Sequence, residues 1–238
     1  MTVRIAIIDT GIDVSHPWLQ SCDIDGTTVG ESSDGISVSA GFSDEIGHGT
    51  NVAALIHAFC PEAKLYAVRV SRYVNGEPNP RATESTISAA VDYCHEREIR
   101  LINLSYSFNK LRSDSPLRTA CDRARTSGAV IVAAYKNGRE GPVYPAALSS
   151  VIGVRHSLHL AMGRLVIESV ENKDVVAWGG PFFLQHHSEP HVTCAGNSCA
   201  TAHVAAMIGR MHSIDNTIDL DRAFNLLRTH AQANGETP

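Results

Sequence analysis

Five stretches of the chain are apolar almost without interruption over the length of a strand: Arg4 to Asp9, Lys64 to Val70, Leu101 to Tyr106, Ala129 to Ala134 and Ser150 to Arg155. A strand with one wet face alternates apolar and polar residues, whereas a continuous run marks a strand covered on both faces, as in parallel sheets. Between these runs the apolar period lengthens to that of a helix. Thr83 to Arg97 places Ile87, Val91 and Cys94 on one stripe, and Ser115-Pro116 offers a cap and an N1 proline to a helix that Gly128 can close. Helices that separate buried strands predict right-handed crossovers and a three-layer α/β sandwich around a mostly parallel central sheet. After Arg164 the runs shorten, with strands expected at Leu165 to Val170 and Asp174 to Ala177 before a last apolar helix. No repeat, low-complexity tract or linker intervenes, so residues 1–238 read as a single domain.

Composition narrows the classes. With 238 residues, 43% of them hydrophobic, the chain can bury about 70–75% of the surface that its unfolded form exposes. A net charge of -5 and a pI near 6.2 leave no basic stripe for nucleic acid. The longest apolar runs are far too short to span a bilayer, so neither nucleic acid nor membrane is expected as a partner.

Three segments each deliver one reactive side chain at the end of an element. Ile7-Ile8-Asp9-Thr10-Gly11 closes the first strand, Gly47-His48-Gly49-Thr50 opens an apolar helix, and Gly196-Asn197-Ser198-Cys199-Ala200 turns tightly into another. A serine is a poor nucleophile unless a base takes its proton, an imidazole titrates in the range for that work, and a carboxylate fixes the imidazole's tautomer and stabilises its charge. Ser198, His48 and Asp9 are the candidates for these three roles. Ser198 at a helix N-terminus would also stand among free backbone N–H groups that favour developing negative charge.

These residues resemble those of the subtilisin-like serine proteases, the subtilases. Asp9 to Pro17 is similar to the family's aspartate motif, Gly47 to Thr50 to its histidine motif and Gly196 to Val204 to its serine motif, in the family's order. Cys60 to Val70 and Leu101 to Ser105 resemble the strand after the histidine helix and the substrate-lining strand. The resemblance implies a subtilisin-like fold over roughly residues 3 to 230 and hydrolysis of a peptide or protein substrate through an acyl-enzyme, with no cofactor. It also implies that Asn137, after the buried run Val130 to Ala134, is the side-chain donor of an oxyanion hole completed by Ser198. The other reading of Asn137-Gly138 is an ordinary turn. Substrate contacts are expected along Ser105, Tyr106 and Ser107 and at Lys136.

Departures from the family pattern bear on specificity. Ser107 and Lys136 stand where the family usually has glycines bordering the primary pocket, which should narrow or charge that pocket unless Lys136 points to solvent. A restricted peptide substrate follows as one expectation; a non-catalytic peptide-binding or maturation partner is the alternative. Asn197, Ala202 and Asn51 also differ from the usual residues without touching the atoms that move protons. The connection Ala58-Phe59-Cys60-Pro61 is too short to wrap a tightly held calcium ion, and no metal site is expected there or at His186, His187 and His191, which read as a hairpin. All six cysteines are expected to be buried free thiols, Cys199 as a packing residue, although export would allow a disulfide. Asp44 and Glu45 read as solvated charge or as a contact for a basic substrate residue. Without an apolar leader after Met1 the sequence as written reads as cytoplasmic, or as secreted if leading segments have been removed.

Overall fold

A computed structural model describes residues 3–74, 77–79, 81–184 and 192–235. The first half runs β1 (Arg4–Asp9), β2 (Ile24–Ser32), β3 (Gly35–Ser39), α1 (His48–Phe59), β4 (Lys64–Arg69), β5 (Arg72–Val74), β6 (Glu77–Asn79), α2 (Glu84–Glu96) and β7 (Leu101–Leu104). It continues with α3 (Pro116–Thr126), β8 (Val130–Ala134), β9 (Ile152–Ser157), β10 (Leu165–Ser169) and β11 (Asp174–Trp178). The last part holds β12 (Phe182–Leu184), β13 (Val192–Cys194), α4 (Asn197–Ile214) and α5 (Leu220–Ala233).

Nine strands form one sheet in the order β10-β11-β9-β8-β7-β1-β4-β2-β3. Every pairing from β11 to β2 is parallel, and the two outermost strands, β10 and β3, pair antiparallel with their neighbours. Successive side chains of a strand point to opposite faces. Ile5 and Ile7 accordingly join the core with α1, α4 and α5, while Ala6 and Ile8 join the core with α2 and α3. Both faces of the central strands are dry, and the α/β sandwich with a mostly parallel sheet is the architecture found. A fully buried isoleucine contributes roughly 1.5–3 kcal/mol, so either core tolerates truncation of a central strand residue poorly.

The caps fall where their residue types direct. Thr83 accepts from the Thr86 N–H at 3.1 Å to start α2, and Ser115 accepts from the Arg118 N–H at 3.3 Å with Pro116 behind it to start α3. Gly128 follows α3 in the left-handed region, φ 83°.

Differences from the sequence expectation include a strand end, a hairpin and a helix. β7 stops at Leu104 rather than Tyr106, because Leu104 is the last residue paired on both sides, with Ile8 and Ala133. The β2–β3 hairpin was not anticipated. It lies at the sheet edge, where only Thr27 and Val29 of β2 are buried and β3 is exposed throughout. α5 was also missed, although Asp219 caps it and Leu220, Ala223, Phe224, Leu227 and Ala231 form its buried stripe.

Candidate active site

Asp9 ends β1, Ser105 to Ser107 follow β7 and Asn137 follows β8, all at the carboxyl ends of central strands, where open α/β sheets bind their ligands. Asp9 is the last residue of β1 and is 1% exposed. His48 is the first residue of α1, and three sets of contacts fix that helix end. Thr10 Oγ1 accepts from the Gly49 N–H at 2.9 Å, Thr50 Oγ1 accepts from the Asp13 N–H at 2.9 Å, and Asp44 caps the turn. Asp44 Oδ1 accepts from the N–H groups of Ile46 and Gly47 at 3.0 and 2.9 Å. Its Oδ2 accepts from the N–H and hydroxyl of Thr50 at 2.9 and 2.7 Å. Asp44 is therefore a capping carboxylate, not the solvated charge expected from the sequence. Gly49 packs on Gly11 O and Asp9, and no side chain fits there.

This docking sets His48 Nδ1 at 2.7 Å from Asp9 Oδ1, which also accepts from the Thr10 N–H at 2.7 Å. Asp9 Oδ2 is buried and meets no donor among the described residues, so the imidazole and the Thr10 N–H carry the compensation of this charge. The Asp9 charge pushes the His48 pKa up to about 8 against the opposing effect of burial, with the Asp9 hydrogen bond and Asp44 adding to the rise.

Gly196 turns the chain into α4 with φ 121°, a conformation that other residues rarely adopt, and a Cβ there would lie 3.0 Å from Asn137 Nδ2. Ser198 is half-buried in the first turn of α4, and its Oγ makes no hydrogen bond among the described residues. In unliganded hydrolases the nucleophile–base contact is often long and tightens only with substrate. Asn137 lies three residues past β8 on an exposed loop, where its Oδ1 accepts from the Asn197 N–H at 2.9 Å. A backbone N–H can only donate, so that side of the amide is the oxygen and the Nδ2 donor remains toward the Gly196 turn. Cys199, expected to be a free thiol, is instead joined to Cys194 of β13 in a disulfide. The turn at Gly196 folds two cysteines five residues apart back onto each other, which a linear reading of the spacing does not reveal. The other four remain free; burial pushes Cys60, Cys94 and Cys121 up to about 12 and half-buried Cys22 up to about 11, far from reactive thiolates.

Ser105, Tyr106 and Ser107 are half-buried and lead from the end of β7 to a two-way backbone bridge between Phe108 and Tyr144, at 2.7 and 2.9 Å. Asn103 Nδ2 donates to Ser105 Oγ at 3.5 Å. The Tyr106 hydroxyl is buried, and burial with the nearby charges of Asp9 and Asp44 raises its pKa beyond the usual tyrosine range. Lys136 is exposed and lines a cleft of about 720 Å³ with Arg139, Arg155, His156, Glu168 and Asn197. His203 is buried against Phe59 and Trp178, and burial pulls its pKa down to about 4, a structural role. Among the described residues no group of three or more His, Cys, Asp or Glu could hold a metal ion, and no helix is long and apolar enough to cross a membrane. His186, His187 and His191 lie outside the described residues. Sequence reasoning gave Asp44 another role and missed the contacts of Thr10, His156 and Asn197; only the acid three residues before the Gly47 turn carried a signal, as a cap.

A model of the subtilase family matches residues 1–236. The major intracellular serine protease of Bacillus subtilis is 31% identical over 232 residues, which are 90% of this chain and 69% of that protein. The thermostable alkaline protease of Halalkalibacterium halodurans is 28% identical over 88% of this chain, and the match spans 56% of that protein's length. Among solved structures, S41 psychrophilic protease superposes with a TM-score of 0.73 at 20% identity, covering 95% of this chain and 82% of that one, a likeness of fold.

Proposed function

The chain belongs to the subtilase family of serine proteases, and from that premise we propose that it is a serine endopeptidase working through Asp9, His48 and Ser198. His48 Nε2 takes the Ser198 hydroxyl proton as Oγ attacks the scissile carbonyl. Asp9 holds the Nδ1–H tautomer and stabilises the imidazolium as it forms. The tetrahedral oxyanion receives hydrogen bonds from Asn137 Nδ2 and the Ser198 backbone N–H. His48 then protonates the leaving amine, and a water activated by the same base hydrolyses the acyl-enzyme.

The observation that carries this reading is the 2.7 Å bond from His48 Nδ1 to an Asp9 carboxylate that is 1% exposed. A buried carboxylate beside an imidazole is costly for a fold, and general-base chemistry gives it a use. Substrate enters as an extended peptide that adds to the segment Ser105 to Ser107, and Ser107 with the exposed Lys136 restricts which side chains fit beside the scissile bond. A fluorophosphonate probe, whose phosphorus is attacked by an activated serine with loss of fluoride, tests the reading. We expect stoichiometric labelling at Ser198 that S198A abolishes, and a folded protein left unlabelled refutes the proposal.

A further inference from the structure

His156, at the end of β9, donates twice to one oxygen. Its backbone N–H lies 2.8 Å and its Nδ1 2.7 Å from Asn197 Oδ1. The other end of that amide, Nδ2, donates to the Tyr135 carbonyl at 2.8 Å. A backbone N–H can only donate and a backbone carbonyl can only accept, so the Asn197 amide has a single consistent orientation. An acceptor oxygen opposite Nδ1 then requires the proton on Nδ1, and His156 is one of the residues that line the cleft beside Lys136. Asn197 is 4% exposed and is the first residue of α4, immediately before Ser198. A Cβ at Gly179 would lie 2.5 Å from His156 Cβ and 2.7 Å from Gly196 O, so the backbone of Gly179 is wedged between β9 and the serine turn.

We propose that His156 and Asn197 are positioning residues for the oxyanion hole, an inference that rests on the catalytic reading above. Asn137 sits on an exposed loop, and its side chain has one tie among the described residues, the Asn197 N–H at 2.9 Å. Where that N–H lies depends on where the first residue of α4 is held. Its side chain is held by His156 from β9 and by Tyr135 from the end of β8. The chain His156, Asn197, Asn137 therefore transmits the spacing of two strands to the one rotatable donor of the hole. A displaced donor weakens the bond that develops in the transition state and leaves ground-state binding little changed.

The test replaces the ring donor while keeping bulk. H156F should lower kcat by up to about 10²-fold, the scale of an ångström of misplacement, with KM nearly unchanged. H156N carries an amide N–H at the position of Nδ1 and should restore most of the loss, whereas H156Q, whose amide reaches past it, should not. In an N137A background, H156F should cost nothing further, because the donor it positions is gone. Thermal melts identify any variant that fails to fold, and H156Q replaces H156F if that one does. A kcat for H156F within about twofold of wild type, or losses that multiply in the N137A background, overturns the inference. Hydrolysis that survives S198A instead overturns the catalytic reading beneath it, so the two failures are distinct.

Discussion

The oxyanion role proposed for Asn137 falls to one end of its amide, because the other end is occupied by the Asn197 N–H at 2.9 Å. This division predicts how its removal should register. N137A should reduce kcat by roughly 10²–10³-fold, the measured range for loss of such a donor in this family, while KM changes little. Steady-state kinetics on one peptide substrate decide it, and an unchanged kcat removes Asn137 from the site. At this scale the candidate residues were readable because chemistry leaves few choices: Asp9, His48 and Ser198, the residues proposed to react, each stand at an element's end beside a glycine turn. The residues that hold them were not readable. Asn197 looked like an inert substitution, and four of its hydrogen bonds come from residues 41 or more positions away, His156, Tyr135 and Asn137. The Cys194–Cys199 disulfide was hidden for the related reason that only the folded turn at Gly196 brings the two sulfurs together.

At the scale of elements, the N-terminus of α1 shows how one carboxylate can act on both a helix and the histidine that opens it. Gly47 occupies the cap position with φ 90° and offers no side chain, so Asp44 reaches in from three residues upstream to satisfy the orphan donors. Its charge also lies near His48 and adds to the rise of that pKa. Asp44→Ala should therefore have two separable effects. Loss of the cap should cost about 2 kcal/mol, or roughly 4–8 °C in thermal midpoint for a chain of this size. Loss of the charge should lower the His48 pKa and move the acid limb of kcat/KM to lower pH. A destabilised variant with an unmoved limb would show that Asp44 acts on the helix alone. The elements themselves were legible in proportion to their burial. β1, β4, β8 and β9 declared themselves as continuous apolar runs because both faces are covered, whereas β2 and β3 at the edge bury too little to leave a pattern. α5 had a readable stripe, but its polar surroundings obscured it.

For the whole molecule, the histidines set stability and activity against each other along the pH axis. His48 has its folded pKa raised from 6.5 to about 8, so it binds its proton more tightly in the fold. The stability this supplies is fully present below pH 6.5 and is lost as pH rises through about 8. His203 is the reverse case. Burial lowers its pKa to about 4, so the unfolded chain takes up a proton that the fold refuses, and stability falls as pH drops from 6.5 toward about 4. His212 and His57 are shifted downward by burial as well and act in the same direction. The acid side should be the steeper. His203 is 2% exposed, and a shift of that size corresponds to something on the order of 3 kcal/mol, whereas the His48 side chain is 43% exposed and its pairing is screened by solvent. The thermal midpoint should thus peak near the ordinary histidine pKa of about 6.5. Turnover through a neutral His48 should keep rising with an apparent pKa near 8, since the proposed base works only after losing its proton. H48A should flatten the decline in stability above the peak and leave the acid side as it was. Melting curves and kcat/KM measured in the same buffers across pH 4 to 10 examine this. A midpoint that climbs steadily through pH 8, or an acid limb of activity near pH 6, would mean that Asp9 does not hold the His48 proton as the 2.7 Å contact implies.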